Sequence, residues 1–223
     1  ITVDVTAVND APMLSVPGTA VTATEEVQTA AISGLGVSDV DPNDTLTVTL
    51  GVSNGALAVT QNGGSANITG STTGSVTITG TAADVDAALQ SVQYTGATDY
   101  VGGDTLVLTA TDAAGASVTR TVAITVTPDN DAPERTNDVM TVVEDTAYVL
   151  DVSDFGRYAD IDGDALASVT ITAVPGAGAG VLQLHDGASW TTVSDGAVID
   201  AADIAAGQLR FVPEEHHHGD AYA

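Results

Sequence analysis

The side chains best placed to do chemistry in this sequence are carboxylates, and they recur at fixed spacing. Asn9-Asp10-Ala11-Pro12 returns as Asn130-Asp131-Ala132-Pro133, 121 positions later. Each copy is followed by an acidic pair, Glu25-Glu26 and Glu144-Asp145, and then by an Asp-x-Asp, Asp39-Val40-Asp41 and Asp160-Ile161-Asp162. Calcium takes six to eight oxygen ligands, largely carboxylates and backbone carbonyls, and is tolerant of their geometry. The segment Asp129-Asn130-Asp131 and the loop acids Glu25, Asp99, Asp160 and Asp162 can be brought to one end of a β-sandwich. Crowded there without a cation they would repel one another; a divalent ion would relieve the repulsion and stiffen the joint. The competing reading is plain turn chemistry, because Asp and Asn favour turns anyway. Retention of the whole ordered set in both copies favours calcium.

Other chemistries find little support. The chain has no Cys, which removes disulfides, thiolate metal sites and thiol nucleophiles together. It has no Gly-x-Ser-x-Gly elbow and no phosphate loop, and its four His are His185 and the run His216-His217-His218. A hydrolytic triad therefore has no base in the first repeat, and the chain reads as a non-enzyme. Asp160-Ile161-Asp162-Gly163-Asp164 is not an EF-hand loop, since the distal Glu and the flanking helices are missing. Three consecutive His on an extended loop do not readily face one zinc ion, so they read as a surface loop. Trp190 and Tyr100 read as core or edge packing rather than a sugar platform. Asp84, Asp86 and Asp203 read as acids at helix N-termini, and Asp112, before Gly115, as part of a hairpin turn.

The elements that must position the acids are short strands. Val, Ile and Leu alternate with Thr and Ser over 1–5, 46–50, 76–79, 106–110, 122–126 and 169–172, the pattern of half-buried strands. Clusters of Gly, Asn, Asp and Ser at 53–55, 61–65 and 113–115 separate them. Two Ala-rich segments, 82–89 and 201–206, predict short helices. The expected class is all-β, as tandem antiparallel β-sandwich repeats. Residues 1–7 read as the last strand of a preceding repeat, 8–128 as a complete repeat, and 129–223 as a second repeat truncated before its last strands.

The composition is consistent with this. Of 223 residues, 30 are acidic and 4 are basic, all four of them Arg, for a net charge of −26. Such a chain is a poor partner for nucleic acid or anionic lipid. At 43% hydrophobic residues and a mean hydropathy of +0.21 it is also a poor candidate for disorder. No signal peptide and no run of 18 apolar residues is present. The start at Ile1 reads as a window cut from a longer protein.

The stretch Leu106-x-Leu108-x-Ala110-Thr111-Asp112-x-x-Gly115, followed by Val122-x-Ile124-x-Val126 and Asp129-Asn130-Asp131-Ala132-Pro133, resembles the end of a cadherin repeat running into its calcium linker. The resemblance implies that Glu25, Asp99, Asp129, Asn130, Asp131, Asp160 and Asp162 share one joint. It implies that Asn9, Asp10, Asp39 and Asp41 serve the joint before it and Glu144 the joint after. Two positions depart from the family pattern: Asp99-Tyr100-Val101 stands where Asp-Arg-Glu is usual, and Ala132 where a second Asn is usual. Both imply fewer or weaker ion sites. The absence of Lys and the Asn-Asp-Ala-Pro linker look more like the cadherin-like repeats of giant bacterial surface adhesins, often secreted by type I systems. The segment from Asp203 to Pro213 looks like the related proteoglycan-type repeat. The implied function is a calcium-rigidified extender of an extracellular, cell-surface adhesin. The implied partners are calcium, neighbouring repeats of the same chain and cell-surface or biofilm-matrix components, with no nucleic acid and no membrane insertion. The alternatives are a glycan- or protein-binding module and an accessory domain of a secreted enzyme.

Overall fold

The computed structural model describes every residue except 5, 7, 42, 43, 177 and 217–223. The expectations for His217 and His218 lie outside the described residues. The fold is all-β, and the chain divides into two compact units, Ile1–Asp129 and Asn130–Ala223.

Unit 1 carries β1 (Met13–Ser15), β2 (Val21–Thr24), β3 (Gly36–Ser38), β4 (Thr45–Gly51), β5 (Gly55–Ala58), β6 (Asn67–Thr69), β7 (Ser75–Thr81), α1 (Ala82–Leu89), β8 (Gln93–Gly96), β9 (Gly102–Thr111) and β10 (Ser117–Thr127). Six strands form one sheet in the order β2-β10-β9-β4-β7-β6, while β1 pairs β3 and β5 pairs β8. Every ladder is antiparallel except β2 with β10. The alternation read from the sequence sets the faces: Leu46, Val48 and Leu50 of β4, and Leu106, Leu108 and Ala110 of β9, are at most 1% exposed. Their neighbours in each strand point the other way.

Helix α1 occupies the predicted 82–89 segment. Thr81 ends β7 and caps α1, its hydroxyl accepting from the Asp84 N–H and donating to Asp84 Oδ2 at 2.7 Å. These contacts, with the Ser65 N–H, hold the Asp84 carboxyl below its ordinary range. Asp86, expected at the helix N-terminus, lies beyond the first turn of α1; its Oδ1 accepts from Val37 N–H and ties α1 to β3. Val85, Ala88 and Leu89 bury the inner side of the helix. Thr81→Ala removes the cap and is expected to cost about 1 kcal/mol, read as a lower urea midpoint with an unchanged slope.

Among the described residues of unit 1 three carboxylates are buried, those of Glu25, Asp104 and Asp112, and Asp104 is the one set within a strand facing the core. Asp104 has the same strand parity as Leu106 and Leu108, so its carboxylate points into the core and is 7% exposed. Oδ1 accepts from Ser53 N–H at 3.2 Å and from its neighbour Thr105 N–H at 2.7 Å, and Oδ2 accepts from Asn54 N–H at 2.9 Å. The Tyr94 hydroxyl lies 3.0 Å from Oδ2 and 2.8 Å from the Asn54 carbonyl oxygen. Burial alone would raise the Asp104 pKa, but the three backbone N–H groups and the tyrosine outweigh it and hold it below the ordinary range. Burial, with the adjoining carboxylate, drives the Tyr94 hydroxyl well up.

Within the segment expected as a strand at 1–7, the described residues 1–4 and 6 have no regular structure. An alternating segment needs a ladder partner to satisfy its backbone groups, and none of the described residues pairs with it.

Unit 2 carries β11 (Glu134–Arg135), β12 (Tyr148–Val149), a 3₁₀ turn (Val152–Phe155), β13 (Tyr158–Ala159), β14 (Ser168–Ile171), β15 (Gly180–His185), β16 (Trp190–Thr192), β17 (Ala197–Asp200), α2 (Ala201–Ala205) and β18 (Leu209–Pro213). Four strands form a sheet in the order β12-β18-β15-β16, and β11–β13 and β14–β17 are separate pairs. Its core is smaller, built on Leu150, Ile171, Leu182, Val193, Ile199, Ile204, Leu209 and Phe211. Trp190 is a half-buried edge residue, as expected, with the Arg210 guanidinium 3.9 Å from its ring centroid and the His185 ring against it edge-on. Tyr100 packs at the margin of the unit 1 core and donates to the Gly103 carbonyl oxygen.

Candidate metal centre

The loop after β3 carries Asp39, Asp41 and Asp44, and β9 ends one residue before Asp112. Hydrogen bonds place Asp39, Asp41 and Asp112. Asp39 Oδ1 accepts from Asp41 N–H at 2.9 Å, an Asx turn that curls the loop. Asp41 Oδ2 accepts from Asp10 N–H at 2.8 Å, and Asn9 Nδ2 donates to Asp112 Oδ2 at 2.8 Å. The Asn-Asp segment is thereby pinned between the β3 loop and the end of β9. Asp112 Oδ1 accepts from Ala116 N–H at 2.8 Å, closing the β9–β10 turn.

The result is a convergence of negative charge. Asp39, Asp44 and Asp112 each present a carboxylate oxygen, and these three atoms lie within 4.8 Å of one another. Oδ2 of Asp39 and Oδ2 of Asp44 are buried and accept no hydrogen bond among the described residues. No arginine forms an ion pair with any of the three among the described residues. Burial, and then the charges of Asp39, Asp41 and Asp112, push the Asp44 carboxyl above its ordinary range. Asp112 moves the other way, held down chiefly by the Asn9 amide against the cost of its burial. Two ligands on opposite sides of a calcium ion stand about 4.8 Å apart, at roughly 2.4 Å per bond. The donor set is all oxygen, with no imidazole or thiolate, which suits a hard cation rather than zinc.

The predicted site residues of unit 1 sort to its two ends, separated by the 11 residues of β10. Asn9, Asp10, Asp39 and Asp41 lie with Asp44 and Asp112 at one end. Glu25, Asp99 and Asp129 lie at the other. Glu25 is 1% exposed; Oε1 accepts from Asp129 N–H at 3.2 Å, and Oε2 is buried with no hydrogen bond among the described residues. Asp99 does not join the trio; it is exposed in the loop after β8, in a left-handed conformation with φ of 57°.

Unit 2 reproduces the loop geometry. Asp160 Oδ1 accepts from Asp162 N–H at 3.0 Å, Asp162 Oδ2 from Asp131 N–H at 2.8 Å, and Asn130 Nδ2 donates to the Asp131 carbonyl oxygen at 3.1 Å. The matching bond in unit 1 runs from Asn9 Nδ2 to the Asp10 carbonyl oxygen, also at 3.1 Å. Asp164 N–H adds a second bond to Asp160 Oδ1. Glu144 is exposed in a turn, followed by Asp145 with φ of 59°, the counterpart of Glu26 with φ of 57°. The exposed His216 donates its N–H to Asp145 Oδ1 at 3.0 Å, in keeping with the surface-loop reading.

Sequence reasoning missed Asp44 as a ligand candidate and assigned Asp112 to its turn alone. Asp112 is both a turn residue and a member of the acid group. The available signal was a third acid in each loop, Asp44 after Asp39-x-Asp41 and Asp164 after Asp160-x-Asp162.

Comparison with known proteins gives limited similarity. Residues 31–121, less than half the chain, match the family model of the Protein GAMETE EXPRESSED 2 domain. No curated protein matches. Among solved structures, the chain is similar to the titin domains Z1Z2 in complex with telethonin, at 14% identity, 95% coverage of this chain, 85% of that chain and a TM-score of 0.27. It is also similar to BspA_C_WT, at 10% identity, 95% and 93% coverage and a TM-score of 0.26.

Proposed function

We propose that this chain is a structural extender segment of a large extracellular bacterial adhesin, in which calcium held by end-of-unit carboxylates stiffens a run of β-sandwich repeats. The observation that carries the reading is the convergence of Asp39, Asp44 and Asp112, with buried Oδ2 atoms of Asp39 and Asp44 that no donor among the described residues satisfies. A structural acid of this fold looks different: Asp104 is saturated by N–H and O–H donors. Unpaired buried carboxylates are costly, and a cation is the simplest partner for them. Asp39, Asp44 and Asp112 would supply ligands directly. Asn9, Asp10 and Asp41 position the segment beside them. Glu25, Asp99, Asp129, Asn130, Asp131, Asp160 and Asp162 would serve the next joint, and Glu144 the one after. The role of the ion is electrostatic: it removes the repulsion that would otherwise loosen the loops, and so lowers the conformational freedom of the connecting Asn-Asp-Ala-Pro segment.

Solution scattering of the full chain tests the extender reading. With millimolar calcium the distance distribution narrows and its maximum becomes sharp; with chelator it broadens. Superimposable profiles in the two conditions would contradict it.

A further inference from the structure

Unit 2 repeats the β4–β7–α1 arrangement of unit 1 as β14–β17–α2, down to the register. The first residue of β4, Thr45, faces Thr81, the residue before α1; the first residue of β14, Ser168, faces Asp200, the residue before α2. The two arrangements differ at the far edge. β4 pairs with β7 on one side and β9 on the other, whereas β14 pairs among the described residues with β17 alone. In unit 1, β9 and β10 contribute Leu106, Leu108, Ala110, Val122, Ile124 and Val126, all at most 2% exposed. Unit 2 has no such layer among its described residues, and burial reflects it: Leu46 and Val48 are 0% exposed, but their register equivalents are a half-buried Val169 and an Ile171 at 9%.

None of the described residues pairs with this edge. Exposed edges are normally blunted by charge, Pro or bulges. Residues 165–174 contain no charged residue, no Pro and no Gly, in a chain with 30 acids. A two-stranded ribbon of this kind is marginal by itself.

We propose that the free edge of β14 is a strand-acceptor site, and that its occupant is a β-hairpin of this chain's own repeat type, with apolar side chains at every second position as in β9 and β10. The backbone ladder supplies affinity and the alternating side chains supply register. The β4–β9 ladder fixes that register: Ala110 faces Val48 and Thr111 faces Thr47, so the residue equivalent to Ala110 faces Ile171 and the next faces Thr170.

The test adds a synthetic peptide with the sequence of residues 102–127 to the full chain and follows amide exchange by mass spectrometry. Exchange across 168–174 is expected to slow about tenfold or more. The same peptide with Leu106→Asp and Leu108→Asp is expected to leave it unchanged. Unchanged exchange at about a hundredfold excess of the first peptide, or equal slowing by the Asp-substituted one, would overturn the proposal. Slowing that tracks protein concentration without peptide would also overturn it, by making a second copy the occupant.

Discussion

Asp104→Ala is expected to lower the melting midpoint of unit 1 by about 10 °C. The substitution removes the acceptor of three backbone N–H bonds and the partner of the buried Tyr94 hydroxyl. The tyrosine retains the Asn54 carbonyl, but the N–H groups of Ser53 and Asn54 lose the carboxylate beside a closed core. Each buried donor left unsatisfied costs about 1–3 kcal/mol, so a loss of about 3 kcal/mol is a conservative sum. Scanning calorimetry of the full chain, with exchange of the β9 amides assigning the transition to unit 1, checks it. The pH dependence has a definite sign. The folded-state pKa of Asp104 is depressed, so its contribution is fully present above the unfolded value, near 3.9. It is lost as pH falls through the lower folded value. The stability gap between wild type and Asp104→Asn should therefore be constant above about pH 5 and shrink below about pH 4. The comparison with Asn matters because protonating Asp44, whose carboxyl is pushed up, changes stability in the opposite direction.

Calcium should produce the other large effect. For one site with a dissociation constant near 10⁻⁴ M, about 10 mM calcium stabilises the folded state by about 2.7 kcal/mol, and the melting midpoint of unit 1 rises by about 8 °C. Chelator removes the gain. Asp44→Asn discriminates this from a general salt effect, because its sign should reverse. In chelator the wild-type Asp44 is held among Asp39, Asp41 and Asp112 with its carboxyl pushed up, so removing its charge is expected to raise the midpoint. In calcium the same substitution deletes a ligand and is expected to lower it. A substitution that shifts the midpoint in the same direction in both conditions would argue that the trio is an ordinary acidic surface.

Much of the strand framework was legible because alternation carries it. Segments 46–50, 106–110 and 122–126 each put one apolar set inward, and β4, β9 and β10 follow them. Helix α1 was legible because its segment is Ala-rich. The alternation also placed Asp104 on the inward face, but a lone Asp in a strand reads as a surface residue unless its parity is followed through to Leu106 and Leu108. The acid loops were legible as a repeat, since their spacing survives in both copies. The membership of the centre was not. Asp112 joins it with Asn9 reaching across 103 residues of chain to hold it, and Asp44 joins it from five positions beyond Asp39. Neither closure has a local sequence signature.

The central claim is that Asp39, Asp44 and Asp112 hold a calcium ion. Isothermal titration of calcium into the full chain, wild type against Asp39→Asn/Asp44→Asn, tests it most directly. The account predicts saturable binding at about 10⁻⁴–10⁻³ M, with the variant losing one site and retaining any others. Absence of saturable heat in the wild type, or the same stoichiometry and affinity in the variant, would contradict it.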